Sequence, residues 1–470
     1  ASDTESDNIA IGYNAMTTNT AGGNENVAVG NYALDALTSG DSNTAIGMHA
    51  LGANTTGGSN TGIGSDSLLL ATTATGNVAV GERSMAATTT GGNNVAVGTG
   101  ALLANTTGVS NIGIGAGALA VSTTHRFNIA IGADTMSGAE PGDSNTAVGH
   151  ACMVANTGTQ NVAMGRGALA TNTTGGDNTA IGHAALYTNA TTGNNTAVGL
   201  SALYTNVAAG NTAVGRYAMH GNTTGFSNVA MGVSASVVST IADKCVSIGA
   251  DSHLRLTEGD ENTAVGCQAG AYTTTGSQNT MIGQAAGVTG TTTTTGSNNV
   301  FVGHSCHGSG VGVDAEIVLG FNVGGGGTNT LRFGNAANDC EVSFGGTSIS
   351  APSDIRLKEN IEDETIGLSF INELRPVTFQ WKKAKDISSE MEAHDPDSEE
   401  RVMNGKFNHG FIAQEVKAVI DNHSDIKDGF AMWKEDAGDG RQRIADGALV
   451  PMLVKAIQEL SAEIEILKAK

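Results

Sequence analysis

The sequence predicts a mainly β protein: a parallel β-solenoid of 17-residue coils, then a small α+β domain that ends in a helix with a coiled-coil seam. Three observations predict it. A block, Asn-x-Ala-(Ile/Val/Met)-Gly, recurs through the first two thirds of the chain. Composition changes sharply near residue 350. The last segment spaces its apolar residues 4-3-4-3.

The glycine of the block stands at Gly12, Gly30, Gly47, Gly64, Gly81, Gly98, Gly115, Gly132, Gly149, Gly165, Gly182, Gly199, Gly215, Gly232, Gly249, Gly266 and Gly283, then at Gly303. Most steps are 17 residues; one is 18, two are 16 and the last is 20. A short fixed period means one coil per repeat, with a core built by stacking. A flexible Gly/Thr/Asn linker would not hold an apolar residue at one phase.

Each column of the repeat has its own chemistry. Asn lies four residues before the glycine, from Asn8 and Asn26 onward, with Cys245 as the exception. Directly before the glycine stands Ile, Val or Met, and between them a small residue such as Ala28, Ala45 or Gly62. Strand side chains alternate, so these two columns point opposite ways. The apolar column is expected to fill a narrow core, and the small column to admit a neighbouring backbone or a second copy of the chain. Three and four residues after the glycine come pairs such as Ala50-Leu51 and Ala101-Leu102, then polar corners such as Asn54-Thr55-Thr56-Gly57-Gly58. Gly and Asn there supply positive φ. Asn at one place in every coil predicts an amide ladder. At strand spacing, eighteen coils make a rod of roughly 85 Å.

The solenoid is assigned to residues 1–323 and a β-rich connector to 324–352. Residues 1–352 hold 7 Lys+Arg and 21 Asp+Glu, against 16 and 24 in residues 353–470. Both tryptophans, Trp381 and Trp433, lie in the second part, which reads as an ordinary small α+β domain. A net charge of −22 argues against nucleic-acid binding, which needs a basic face. No run of 18 apolar residues exists, so no membrane insertion is expected. Five scattered cysteines do not form a disulfide framework. His304, Cys306 and His307 are ligand-type residues, but polarity of an irregular last coil is the preferred explanation, and no metal or cofactor is expected.

The helix seam comprises Leu453, Ile457, Leu460, Ile464 and Leu467, with Glu463, Glu465 and Lys468 beside it. Ile at one core position and Leu at the other nominally favours dimers, but two heptads are too short to decide. Packing against its own domain is the alternative.

Ser353-Asp354-Ile355-Arg356-Leu357-Lys358-Glu359-Asn360-Ile361 resembles the opening of the intramolecular chaperone domains of phage tail fibres, tailspikes and endosialidases. Leu374-Arg375-Pro376-Val377-Thr378-Phe379-Gln380-Trp381 is similar to a strand of that family. His409-Gly410-Phe411-Ile412-Ala413-Gln414-Glu415-Val416 is similar to one of its helix starts, and Leu449 to Leu460 to its terminal helix. The resemblance implies that residues 353–470 drive homotrimer formation and then cut themselves off between Pro352 and Ser353. It places the nucleophile at Ser353 and its base at Lys358. The pairing is chemically sensible, because a serine hydroxyl attacks well only when a neighbouring base takes its proton. Pro352 departs from the ordinary, since its fixed φ bears on the scissile bond. Gln414 and Glu415 support the site or cap a helix. The repeat itself resembles, less specifically, the head repeats of trimeric autotransporter adhesins, which are β-rolls with shorter coils.

These resemblances imply a virion tail-fibre structural protein, assembled in the host cytoplasm, with other tail components and a host cell-surface glycan or protein receptor as partners. Self-cleavage is the only chemistry expected, with no turnover of a separate substrate. A bacterial surface adhesin is the alternative, but a leader at Ala1-Ser2-Asp3 and terminal membrane strands are not recognised. A polysaccharide-degrading tailspike would need paired carboxylates and aromatic platforms, and the repeats are poor in both. An ice-binding solenoid would rank Thr on a flat strand face, whereas Thr88 to Thr90 and Thr291 to Thr295 fall in corners. His125-Arg126-Phe127 and Leu254-Arg255-Leu256 interrupt the polar corners and are candidate receptor contacts.

Overall fold

The computed structural model describes residues 7–470 except 19–21, 289–294, 337, 347–348, 351–352, 354, 356–357, 390–393, 404, 424–425, 427–431 and 436–441, and the backbone alone at Asp446. Contacts divide the chain into two compact units, Ala1–Pro352 and Ser353–Lys470.

In the first unit each repeat forms one three-residue strand, from β1 (Ile9–Ile11) to β18 (Val300–Val302). Each pairs in parallel with the next at the same repeat position, as Ala45 with Gly62 and Ala96 with Gly113. The register continues past the last 17-residue landmark. β19 (Ile317–Phe321) pairs with β18, and β20 (Thr330–Asn335) with β19. β21 (Asn338–Ser343) then runs antiparallel to β20. Phase is kept by the glycine column: a Cβ on Gly98 would meet the carbonyl oxygen of Gly115 at 2.6 Å, and Gly98 has φ +133°.

The expected amide ladder is present. From Asn26 onward each ladder Asn N–H except that of Asn262, which follows Cys245, donates to the Oδ1 of the Asn one coil earlier, as Asn43 to Asn26 at 2.9 Å and Asn94 to Asn77 at 3.0 Å. The same side chain donates from Nδ2 to a corner carbonyl, as Asn94 to Gly108 at 2.8 Å. These amides are fully buried, so every one of these bonds spares a desolvated polar group.

The assignment of the two strand faces is reversed. The small column, Ala28, Ala45, Ala79, Ala96 and their equivalents, is the buried one. Ile46, Ile63, Val97, Ile114, Ile131, Met164 and Ile181 point outward and stay 36–48% exposed. The reason is width. The strand's middle residue faces the leucine of the preceding coil: a Cβ on Gly62 would meet Leu51 Cγ at 3.5 Å. Leu34, Leu51, Leu102 and Leu119 already fill that space, fully buried, so only Ala or Gly fits opposite.

Corner geometry also differs. Positive φ is not confined to Gly and Asn: within one coil Ser42, His49 and Leu51 have φ of 57°, 54° and 54°. A leucine in that region costs about 1–2 kcal/mol. It is offset here by burial of the side chain and by the Leu51 N–H bond to Ser67 O at 2.9 Å in the next coil.

The second unit is α+β. Helices α1 (Leu368–Glu373), α2 (Ala413–Asn422) and α3 (Val450–Lys468) accompany two short antiparallel strand pairs, β22 (Val377–Phe379) with β23 (Asn408–Gly410) and β24 (Trp433–Glu435) with β25 (Gln442–Ile444). Its core is Ile366, Phe370, Leu374, Val416, Met432, Leu449 and Met452.

Candidate self-processing site

The second unit opens at Ser353. The Lys358 N–H donates to Ile355 O at 3.2 Å, and Lys358 Nζ donates to Ser353 Oγ at 2.7 Å. The two stand five positions apart in the chain, and both are exposed in the single chain. The geometry is that of a hydroxyl nucleophile within proton-transfer distance of an amine. Pro352, the other side of the expected scissile bond, lies outside the described residues, as do Asp354 and Arg356.

Two of the other family-like blocks are tied together. Arg375 Nε donates to Glu415 Oε2 at 2.9 Å, and a second guanidinium nitrogen pairs with Oε1. That bidentate pair joins the strand block at 374–381 to the start of α2, and it holds the Glu415 carboxyl below its ordinary range. Glu415 is thereby a connector between blocks. Phe379 and Trp381 pack edge to face at 5.3 Å.

Helix α3 faces two ways. Met452 and Ala456 are buried, and Glu459 Oε2 accepts from the backbone N–H of Leu368 at 2.8 Å, fixing the first half of α3 beside α1. The seam lies elsewhere. Leu453, Ile457, Leu460, Ile464 and Leu467 are 42–68% exposed. Leu453 also lines an apolar groove of about 570 Å3 with Ile371, Leu374, Pro376, Phe411 and Leu449.

Residues 353–425 match the family described as chaperone of endosialidase. The match covers the blocks at 353–361, 374–381 and 409–416; the fourth block, in α3, lies beyond it. No curated protein and no solved structure matches the chain. The endosialidase-chaperone segment therefore begins at the first residue of the second unit, with Ser353 at its start.

Outside that segment the other candidate residues separate. Cys306 is buried and donates to Gly303 O at 3.3 Å; burial pushes its thiol up to about 11. His304 stacks on Phe321 at 5.3 Å, and the His307 ring packs over Gly324. Among the described residues no three His, Cys, Asp or Glu side chains converge on a metal-sized site. Among the corner candidates, Phe127 is 54% exposed with the Arg126 guanidinium 5.7 Å from its ring centroid. Leu256 is fully buried, which leaves Arg255, stacked on Tyr272 at 4.6 Å, as the displayed member of its corner. No described helix is long and apolar enough to cross a membrane.

Sequence reasoning missed Glu316, which takes the ladder position after Asn299. Its buried carboxylate accepts from Ser309 N at 3.0 Å and Gly327 N at 2.8 Å, closing the ladder. The signal was present: Glu316 stands four residues before Gly320, in the repeat's Asn position.

Proposed function

We propose that this chain is a homotrimeric phage tail-fibre protein, a structural shaft that carries receptor-binding surface, whose domain 353–470 brings three chains together and then releases itself by cutting the Pro352–Ser353 bond. The observation that carries the reading is the Lys358 Nζ–Ser353 Oγ hydrogen bond at the first residues of the endosialidase-chaperone match.

The chemistry is an acyl transfer. Ser353 Oγ attacks the carbonyl carbon of Pro352 while its proton passes to the neutral amine of Lys358. The C–N bond breaks as the Ser353 nitrogen takes up that proton, leaving an ester on Oγ. Water then hydrolyses the ester and frees residues 1–352 from 353–470. The base must first lose its charge, which desolvation favours. Ser353 and Lys358 are exposed in the single chain. Covering them on assembly would tie cleavage to completed trimerisation.

Two apolar surfaces support self-association. The outward Ile/Val/Met column repeats once per coil along the first unit, with charge scarce beside it. Such a continuous exposed patch marks an interface. The seam of α3 is the second: beyond Glu459 every residue of the helix is exposed, and two turns without a partner are marginal in water. The receptor, a host surface glycan or protein, is assigned to corners such as Arg126-Phe127.

The test is expression of residues 1–352 with and without 353–470. A trimerising domain raises local concentration and sets register for coils whose edges otherwise pair wrongly. Residues 1–352 alone are expected as monomers or aggregates by light scattering. Normal soluble trimers from that fragment would refute the chaperone reading.

A further inference from the structure

The solenoid core changes character at one place. In every coil, the residue four after the landmark glycine faces the middle residue of the next strand. Up to Met219 the first is large and the second small, as Leu51 against Gly62 and Leu102 against Gly113, where an added Cβ would meet the leucine at 3.5 and 3.3 Å. After residue 264 the sizes are exchanged. A Cβ on Gly270 would meet Met281 Cε at 2.9 Å, and one on Gly287 would meet the Phe301 ring at 3.4 Å. Both Met281 and Phe301 are buried in strand-middle positions that hold Ala upstream.

Between the two blocks the core is polar. Ser236 stands in the leucine column, Ser247 in the alanine column of β15 (Val246–Ile248), and His253 in the next leucine position. Ser236 Oγ and Ser247 Oγ are 2.8 Å apart, and Ser247 Oγ is 2.8 Å from His253 Nδ1. His253 is fully buried and its Nε2 finds no partner. The long apolar cluster of the upstream coils ends at Ala235 and the downstream one begins at Ala264, with only the small group Ala242, Cys245 and Leu256 between them. The amide ladder weakens at the same coil. Cys245 replaces Asn, so sulfur, a poor acceptor, stands where each Asn presents an amide oxygen.

We infer that the coil around β15 is an acid-sensitive breakpoint, where the solenoid opens first and separates into two blocks of opposite core packing. Core inversion, polar substitution and the ladder defect coincide there independently. An orphaned buried polar atom and lost apolar burial each lower the cost of local opening. The groups against the imidazole are neutral: Ser247 in its own coil, Ser236 through that hydroxyl in the coil before, Gly270 and Met281 in the coil after. Burial alone displaces the His253 pKa to about 3 from its ordinary 6.5. The closed state therefore resists protonation while the opened state accepts it. Closure is fully favoured above pH 6.5 and is progressively lost as pH falls toward 3.

Hydrogen exchange of the full chain, read by mass spectrometry and corrected for intrinsic rates, tests this. At pH 7, peptides within 236–256 are expected to exchange about tenfold faster than those within 95–170. Between pH 7 and 4.5 their opening is expected to rise on the order of 100-fold, with a smaller change elsewhere. His253→Gln cannot charge, so the segment should stay labile but lose this pH response. His253→Leu serves the same purpose if the glutamine chain does not fold. Equal protection across 219–281, or an undiminished pH response in either variant, overturns the inference.

Discussion

Lys358 Nζ donates a 2.7 Å hydrogen bond to Ser353 Oγ, joining the first residue of the second unit to a cation five residues on. A contact this short between exposed side chains is usually incidental. Here it coincides with the start of both the compact unit and the endosialidase-chaperone match. It needs only a change of protonation to reverse its direction, from amine donating to amine accepting.

The solenoid depends on two columns, the ladder asparagines and the landmark glycines. Asn94→Ala removes the bonds from Asn94 Nδ2 to Asn77 Oδ1 and Gly108 O, and strips Asn111 N of its acceptor. Asn105 Nδ2 still serves Gly108 O, so one buried group, Asn111 N, is left unmet, which should cost about 1–3 kcal/mol. Gly98→Ala drives a methyl into Gly115 O at a backbone angle L residues avoid, and should cost about as much or more. Urea midpoints check both; either variant unfolding at the wild-type midpoint would contradict the ladder's role.

Much of this architecture is legible in the sequence. The period, the Asn ladder and the Ala-Leu core point follow from spacing alone, because identical coils must place identical residues in identical surroundings. The faces of the strand were not legible. Ile and Val usually mark the interior, but a coil this narrow already holds a leucine opposite the strand, so Ala45 turns in and Ile46 turns out. Positive φ at Leu51 was equally hidden, since propensity disfavours it and only its burial and the stacked hydrogen bonds of the folded coil hold it. At the candidate site, Ser353 and Lys358 were legible through the resemblance and not through their spacing. The link from Arg375 to Glu415 needed the fold, because 40 residues separate them.

The outward apolar surfaces should govern assembly and leave each unit folded. Ile114→Lys with Ile131→Lys places cations on the exposed strand face without touching the core. Leu460→Asp does the same on α3, whereas Ala456→Asp enters the buried face. By light scattering, the strand-face and Leu460 variants should shift from trimer toward monomer while keeping wild-type circular dichroism. Ala456→Asp should lose helical signal. Unchanged trimers in all surface variants would place the interface elsewhere.

Thiol reactivity should sort by burial. Burial raises the Cys152 thiol to about 12 and those of Cys245 and Cys306 to about 11, while Cys267 is exposed. The thiolate is the reactive form, so a disulfide reagent at pH 8 should label Cys267 first and spare those three until denaturant is added. Rapid labelling of Cys152 in the native protein would contradict the packed core.

Intact mass of the folded protein tests the central claim most directly. Wild type is expected to yield two chains, ending at Pro352 and beginning at Ser353. Ser353→Ala and Lys358→Ala are each expected to remain a single uncut chain, because one lacks the nucleophile and the other the proton acceptor. An uncut wild type, or a Ser353→Ala chain still cut at that bond, would contradict the account.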